Sequence, residues 1–104
     1  MAVTTRLKKV TVIAERVLRD DVLALLKRHH ASGWTLTEVT GEGSRGMRAS
    51  EWEGSNVKIH SLVSPAKAEA IMEDIAAQFF ADWSLVVYAS DVEVLRGEKY
   101  LDAE

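Results

Sequence analysis

The sequence contains no cysteine, and it has no apolar run close to the roughly 20 residues that cross a bilayer. The first absence excludes disulfide bonds, thiolate metal ligands and cysteine nucleophiles. The N-terminal residues also lack the basic-then-apolar pattern of a secretory signal. We therefore expect a cytoplasmic protein that does not insert into a membrane.

The chain also lacks a large excess of charge of either sign. Its 13 basic and 16 acidic residues leave a net charge of −3, whereas general nucleic-acid-binding domains are usually basic. We therefore expect no nucleic-acid partner. A length of 104 residues with 47% hydrophobic content is typical of one globular domain, so residues 1–104 are predicted to form a single domain.

Hydrophobic periodicity predicts four strands and two helices, followed by a short polar tail. The strands are expected at residues 7–14, 34–40, 57–63 and 85–95, the helices at 19–31 and 65–81, and the tail at 96–104. A break in the last strand is expected near Ser90 and Asp91. The order β-α-β-β-α-β is that of the ferredoxin-like fold, an α+β domain whose antiparallel sheet carries two helices on one face. Association of subunits through the open face is the simplest way to cover it.

Aromatic side chains are few, at 7% of the residues. Phe79 and Phe80 fall on the apolar stripe of the second helix and are predicted to lie in the core. Trp34, Trp83 and Tyr88 lie in or beside predicted strands, so we expect them in the core or at a subunit contact.

A glycine-rich segment between the second and third strands is the most informative part of the sequence. Residues 41–56 (GEGSRGMRASEWEGSN) hold four of the six glycines and no apolar periodicity, and loops of this length are usually functional or disordered. Glycines bring backbone amides close to an anion, while Arg45, Arg48 and the Ser44 hydroxyl add donors suited to phosphate or carboxylate oxygens. The alternative is a solvated loop whose arginines contact nothing.

The same segment matches no standard nucleotide motif. It joins two strands, and no Gly-Lys-Ser/Thr opens a helix, so it is neither a Walker loop nor a dinucleotide fingerprint. Trp52 within it is interpreted as a docking anchor for a partner protein, with packing back onto the domain as the alternative.

Few other residues suggest chemistry. Lys58 and His60 alternate on the third strand and so share one face, where they contact either a ligand or only solvent. His29 and His30 diverge by about 100° on a helix and do not form a chelating pair, so no metal site is predicted. His60 and Glu38 could also pair in space. No catalytic constellation is present, and we expect a binding protein and not an enzyme.

Three motifs resemble the PII signalling superfamily. TEVTGEG at residues 37–43 resembles the family's Thr-Glu-Val-x-Gly-x-Gly run before its mobile T-loop, VKI at 57–59 resembles the start of its third strand, and VEVLRGE at 92–98 resembles its last strand and Arg-x-Gly-Glu turn. The likeness spans about residues 7–98. It implies a homotrimer with nucleotide sites in the clefts between subunits, and residues 41–56 as the T-loop that meets a protein partner.

By position, the resemblance also implies a set of nucleotide-binding residues. The phosphates would be cradled by Gly41, Gly43, Ser44, Arg45 and Arg48. The adenine and ribose would be lined by Thr35, His60 and Leu62, with Lys58 beside them. The neighbouring subunit would supply Tyr88, Arg96 and Gly97.

The sequence departs from the nitrogen-sensing members of this superfamily at two places. ADWSL at residues 81–85 stands in place of their Gly-rich, Lys-containing turn, and the 41–56 segment has no tyrosine for uridylylation. The GSRGMR run at 43–48 is similar to PII-like proteins encoded beside bicarbonate transporters and carboxysomes, although the Cys-Gly-Pro tail of some of these is missing. This implies a regulator of inorganic-carbon uptake or fixation that binds ADP, AMP or ATP without a catalytic cofactor. Cyclic AMP and bicarbonate are further candidate ligands, and a transporter or another protein is the expected partner.

Two other classes of protein have a similar fold. An acylphosphatase-like hydrolase would need its anion-binding loop between the first strand and first helix, where residues 15–18 contain no glycine. A trimeric metal-tolerance protein would need cysteine or a spaced histidine pair. The small hydrolase is retained as the alternative function.

Overall fold

The computed structural model describes residues 2–40 and 56–101. The elements are β1 (Thr5–Glu15), α1 (Arg19–Arg28), β2 (Thr35–Val39), β3 (Asn56–Val63), α2 (Pro65–Phe79), β4 (Val86–Val94) and α3 (Glu98–Leu101). A 3₁₀ turn, Arg16–Leu18, joins β1 to α1. The predicted order β-α-β-β-α-β is confirmed, with α3 as an addition. No helix in these two segments has the length and apolarity needed to cross a bilayer.

The strands in this part of the chain form one antiparallel sheet in the order β2-β3-β1-β4. Each β-α-β unit crosses over one intervening strand, so β1 and β3 occupy the centre. Side chains of α1 and α2 pack against one face of the sheet and form a single buried cluster with it. The predicted α+β ferredoxin-like fold, with two helices on one face of an antiparallel sheet, is therefore confirmed.

The core lies between the sheet and the two long helices. Alternate residues of the two central strands face it and are almost fully buried: Val10, Val12, Ala14, Val57, Ile59 and Val63. The helical stripes expected from a 3.6-residue period supply the opposite side with Val22, Leu25, Leu26, Ala68, Ile71, Ile75 and Phe79. Phe80, predicted to be core, is 52% exposed, because one residue further along a helix turns the side chain by about 100°.

The two long helices end earlier than predicted. α1 ends at Arg28 and not at residue 31, because His30 adopts a left-handed backbone with φ of 61° that a continuing helix cannot contain. α2 begins as predicted, since the Ser64 hydroxyl accepts a bond from the Lys67 backbone N–H at 3.2 Å and a proline follows Ser64 directly. It ends at Phe79 and not at residue 81.

The predicted break in the last strand is wrong. Ser90 pairs with Lys9, and Asp91 pairs with Lys8, within an uninterrupted ladder between β4 and β1. The Lys8 ammonium lies 2.8 Å from an Asp91 carboxylate oxygen and lowers the pKa of Asp91. Oppositely charged side chains on paired strands neutralise each other, so Asp91 does not interrupt the pairing of β4 with β1.

A carboxylate on α2 holds the end of α1. Asp74 Oδ2 accepts a hydrogen bond from His29 Nε2 at 2.7 Å and lies 3.5 Å from an Arg28 guanidinium nitrogen, while Oδ1 accepts from Gln78 Nε2 at 3.0 Å. The bonds from His29 and Gln78 are the main cause of a lowered pKa at Asp74. His29 thus joins the two helices, and the described residues contain no group of three His, Asp or Glu that could hold a metal ion.

The tail, predicted to be only polar, includes the short helix α3 on the open side of the sheet. Leu7 is 0% exposed, although it lies on the face of β1 opposite to Val10 and stands outside the helix-side cluster. α3 contacts β3 on this open side. The chain reverses at Arg96, which is left-handed with φ of 58°, and Gly97 then packs directly against the Thr5 side chain.

We expect Gly97→Ala to destabilise the domain by about 1–3 kcal/mol, because the new methyl group would overlap the Thr5 side chain. Thr5→Gly removes the obstacle, so Gly97→Ala should cost less in that background. Gly33→Ala is the control, since a Cβ there meets nothing within 4 Å, and it should change stability by less than about 0.5 kcal/mol. Urea unfolding measures each value. Equal costs of Gly97→Ala in both backgrounds would contradict this packing.

Candidate functional site

The register of the sheet aligns polar side chains in rows across its open face. Thr35, His60, Thr11 and Tyr88 are successive partners from β2 to β4 and form one row. Lys58 lies in the adjacent row, between Thr37 of β2 and Ile13 of β1. The prediction that Lys58 and His60 share a face is confirmed.

A cavity of about 250 Å³ opens where β2 begins and β3 ends. Its walls combine the α1–β2 connection, the open face of β3 and the C-terminal helix. The lining residues are Ser32, Gly33, Trp34, Thr35, His60, Ser61, Leu62, Lys99 and Tyr100. The structure therefore brings together Thr35, His60 and Leu62, the three residues expected from the resemblance to line a base and a ribose.

Hydrogen bonds fix the α1–β2 connection that forms one wall. The Ser61 hydroxyl, on the helix side of β3, donates to the Gly33 carbonyl at 2.5 Å. The Lys67 ammonium of α2 donates to the His30 carbonyl at 3.1 Å. Because His30 is left-handed, the chain turns sharply and delivers Gly33 and Trp34 to the cavity.

The aromatic residues next to the sheet divide into one core residue and two exposed residues, for which a subunit contact stays the prediction. Trp34 is 49% exposed and Tyr88 is 40% exposed, so neither is a core residue of the subunit. Trp83 packs against the core cluster, as expected. Trp34 and Tyr88 remain available to a ligand or a second subunit.

Lys99 and Tyr100 are pocket residues that the sequence did not predict. They belong to α3, and the Lys99 ammonium lies 5.3 Å from the centroid of the Tyr100 ring, within the range of a cation–π contact. A lone aromatic residue in an otherwise polar tail was the available signal. Its sequence neighbours gave no indication that the tail returns to the sheet.

His60 is the ionisable group at the centre of the site. Partial burial lowers its pKa, and the positive charges of Lys9 and Lys58 lower it further. The imidazole is therefore neutral at neutral pH, and it can both donate and accept a hydrogen bond. His60 and Glu38 do not pair. Glu38 lies on the face of β2 opposite to Thr35 and forms an ion pair with Arg16.

Four other predicted site residues lie outside the cavity of their own subunit. Lys58 is one row away from His60, and Tyr88 is on the edge strand β4. Arg96 and Gly97 form the turn between β4 and α3. Their predicted contribution to a neighbouring subunit's site stays a prediction.

The glycine- and arginine-rich segment falls outside the described residues, and with it Gly41, Gly43, Ser44, Arg45, Arg48 and Trp52. Its attachment points are nevertheless fixed, because Val39 at the end of β2 pairs with Asn56 at the start of β3. The predicted segment 41–56 therefore overlaps β3 by one residue, Asn56. Both attachment points lie at the opposite end of this strand pair from Leu62.

This chain is similar to nitrogen regulatory proteins over nearly all of its length. The family model for nitrogen regulatory protein P-II matches residues 7–99. A PII-like signalling protein of Thermus thermophilus is 38% identical, with 97% of this chain and 100% of that chain covered and a TM-score of 0.83. CPII of Thiomonas intermedia has been solved with ADP and bicarbonate (27% identity, 96% and 99% covered, TM-score 0.85). It has also been solved with ADP, AMP and bicarbonate (25% identity, 97% and 99% covered, TM-score 0.85).

The lowered pKa of His60 predicts a pH-dependent stability. The His60 imidazole takes up a proton more readily in the unfolded chain than in the folded chain. Protonation therefore imposes a stability penalty on the folded state, which is absent at pH values well above the ordinary pKa of 6.5 and grows as the pH falls below it. His60→Gln removes the penalty. Between about pH 7.5 and 5, the free energy of unfolding should therefore fall less in the variant than in the wild type.

Lys58→Gln is the matched second variant for that experiment. It removes one of the two positive charges that lower the pKa of His60, so an NMR titration should give a higher pKa for the His60 imidazole, and the pH dependence should weaken. Identical pH profiles for the wild type and His60→Gln would show that His60 is not held neutral by its surroundings.

Proposed function

Since this chain belongs to the nitrogen regulatory protein P-II family, we propose that it is a regulatory protein that binds an adenine nucleotide and is not an enzyme. Proteins of this family are trimeric signalling proteins that act on target proteins. The observation that carries the proposal is the cavity in which Thr35, His60 and Leu62 meet. ADP and AMP are the first candidates, because CPII was solved with both. ATP and cyclic AMP are the others.

The direction of the nucleotide follows from the two ends of the β2–β3 pair. The base and ribose occupy the cavity beside Thr35, and the phosphates extend toward the segment that begins after Val39. Four residues of extended strand separate these positions by about 13 Å, a span comparable to an extended nucleoside diphosphate. At the far end, the phosphates are bound by the backbone amides of Gly41 and Gly43, the Ser44 hydroxyl, and the guanidinium groups of Arg45 and Arg48.

The open face of the sheet supports a trimer with shared sites. Exposed Val86 and Tyr88 of β4 lie on this face, beside the polar rows that contain Lys58 and His60. Burying such a face between subunits removes apolar area from water. The neighbouring subunit then supplies Tyr88, Arg96 and Gly97 to the cleft that contains the nucleotide.

The regulatory output runs through residues 41–56. Phosphates bound by Arg45 and Arg48 order this segment, and the change is transmitted to a transporter or another target protein through Trp52. A ligand shifts such an equilibrium only by its difference in affinity for the two states. Moving a population from 1:99 to 99:1 requires about 5.5 kcal/mol, and two charge-assisted hydrogen bonds at about 1.5–3 kcal/mol each approach that value.

The physiological signal that we propose is inorganic carbon. CPII was solved with bicarbonate as well as ADP, and the guanidinium groups that suit a phosphate also suit a planar carboxylate-like anion. Bicarbonate bound beside the phosphates would link nucleotide occupancy to the supply of inorganic carbon. The alternative hydrolase has less support, because the β1–α1 connection is the glycine-free 3₁₀ turn Arg16–Leu18.

Isothermal titration with ADP tests the phosphate-binding role of Arg45. Arg45→Ala should weaken ADP binding by about 10- to 100-fold, as expected for the loss of one charge-assisted hydrogen bond. Arg19→Ala is the matched control, because Arg19 is an exposed arginine at the start of α1 whose guanidinium contacts Asp20. It should leave ADP affinity unchanged. Unchanged affinity in Arg45→Ala would defeat the assignment.

A thermal-shift experiment tests the role of bicarbonate. With ADP present, added bicarbonate should raise the Tm of the wild type further, since a ligand that binds the folded state stabilises it by mass action. Chloride at equal ionic strength is the control. If bicarbonate and chloride give the same Tm in the presence of saturating ADP, the carbon-sensing part of the proposal is wrong, while nucleotide binding stands.

A further inference from the structure

The C-terminal helix forms one wall of the cavity within the same subunit. Lys9 pairs with Leu62 on the open face near the end of β3. Leu7, two residues before Lys9 on the same face of β1, is fully buried there. The chain reverses at Arg96 and Gly97 onto this face, and Lys99 and Tyr100 then line the cavity together with Leu62. Close packing of Gly97 on β1 anchors the start of this wall.

Tyr100 bounds the cavity without filling it. The cavity retains a volume of about 250 Å³ with α3 in position, and the half-buried ring forms its side. This volume is slightly below the roughly 300 Å³ at which small-molecule pockets usually begin. It therefore accommodates the ring system and part of the sugar of a nucleotide, but not the whole molecule.

The position of Tyr100 indicates which part of a nucleotide it would contact. Leu62 lies six residues along β3 from Asn56, or about 20 Å from the attachment of the 41–55 segment. The phosphates extend in that direction, so the group beside Leu62 and Tyr100 is the base. Aromatic side chains stack on nucleobases through faces that both partners expose.

We infer that Tyr100, carried by α3 of the same subunit, packs against the purine base of the bound nucleotide and determines affinity for the nucleoside part of the ligand. The inference rests on the proposed nucleotide-binding function. Lys99, whose ammonium lies over the Tyr100 ring, positions that ring by a cation–π contact.

Titration with ADP and with phosphate-free adenosine tests the inference. Tyr100→Ala should weaken binding of both ligands by the same factor, about tenfold, because the lost contact is to the base. Tyr100→Phe retains the ring and should bind both like the wild type. Leu101→Ala is the matched control: it shortens a 40%-exposed apolar side chain on the same helix that does not line the cavity, and it should leave both affinities unchanged.

The outcomes separate this inference from the proposed function. If the wild type binds ADP, and Tyr100→Ala binds both ADP and adenosine with the affinities of the wild type, the base does not contact Tyr100, while nucleotide binding stands. Tighter binding in Tyr100→Ala would mean that α3 obstructs the pocket, and it would also overturn the inference. A loss confined to ADP would assign Tyr100 to the phosphates. Absence of ADP binding by the wild type would reject the proposed function itself.

Discussion

The pairing of β1 with both of its neighbours is the constraint on which the candidate site depends. Side chains alternate between faces, so a slip of one residue would exchange the open-face row with the core. Burial of Val10 and Val12 against α1 and α2 opposes that slip, since each buried branched side chain contributes about 1.5–3 kcal/mol. Thr35, His60 and Tyr88 are thus aligned on the open face by residues that point the other way.

The electrostatics of the open face differ from those of the whole chain. The protein carries a net charge of −3, yet Lys9 and Lys58 lie beside His60 and help to keep it neutral. A neutral imidazole between two ammonium groups provides hydrogen bonding without adding a third positive charge. This combination of charge and hydrogen bonding supports the proposal that the face binds an anionic nucleotide, with the imidazole beside the uncharged ribose and base.

The cavity is assembled from parts of the chain that are distant in sequence. The α1–β2 connection is held by Ser61 and Lys67, and the C-terminal helix is held by the Gly97–Thr5 contact. Two left-handed residues, His30 and Arg96, turn the chain toward the same end of the sheet. Both turns direct the residues that follow them to the cavity.

The sequence by itself determined the order of the elements, the fold class and one of the nine residues that line the cavity, His60. A period of two in β3 placed Lys58 and His60 together on one face, and Ser64 with the following proline marked the start of α2. These features depend on local backbone geometry, which neighbouring residues specify. The resemblance to a known family added Thr35 and Leu62 to the site.

Tertiary structure alone decided the rest. The exposure of Phe80 is not among the features that tertiary structure alone decided, because the 3.6-residue period places Phe79 in line with Ile71 and Ile75 and turns Phe80 by about 100°. Tyr100 becomes a pocket residue only because the chain reverses at Arg96 and Gly97 meets Thr5, about 90 residues earlier in the chain. Contacts of this kind are set by packing between distant segments, and periodicity within a window of ten or twenty residues contains no information about them.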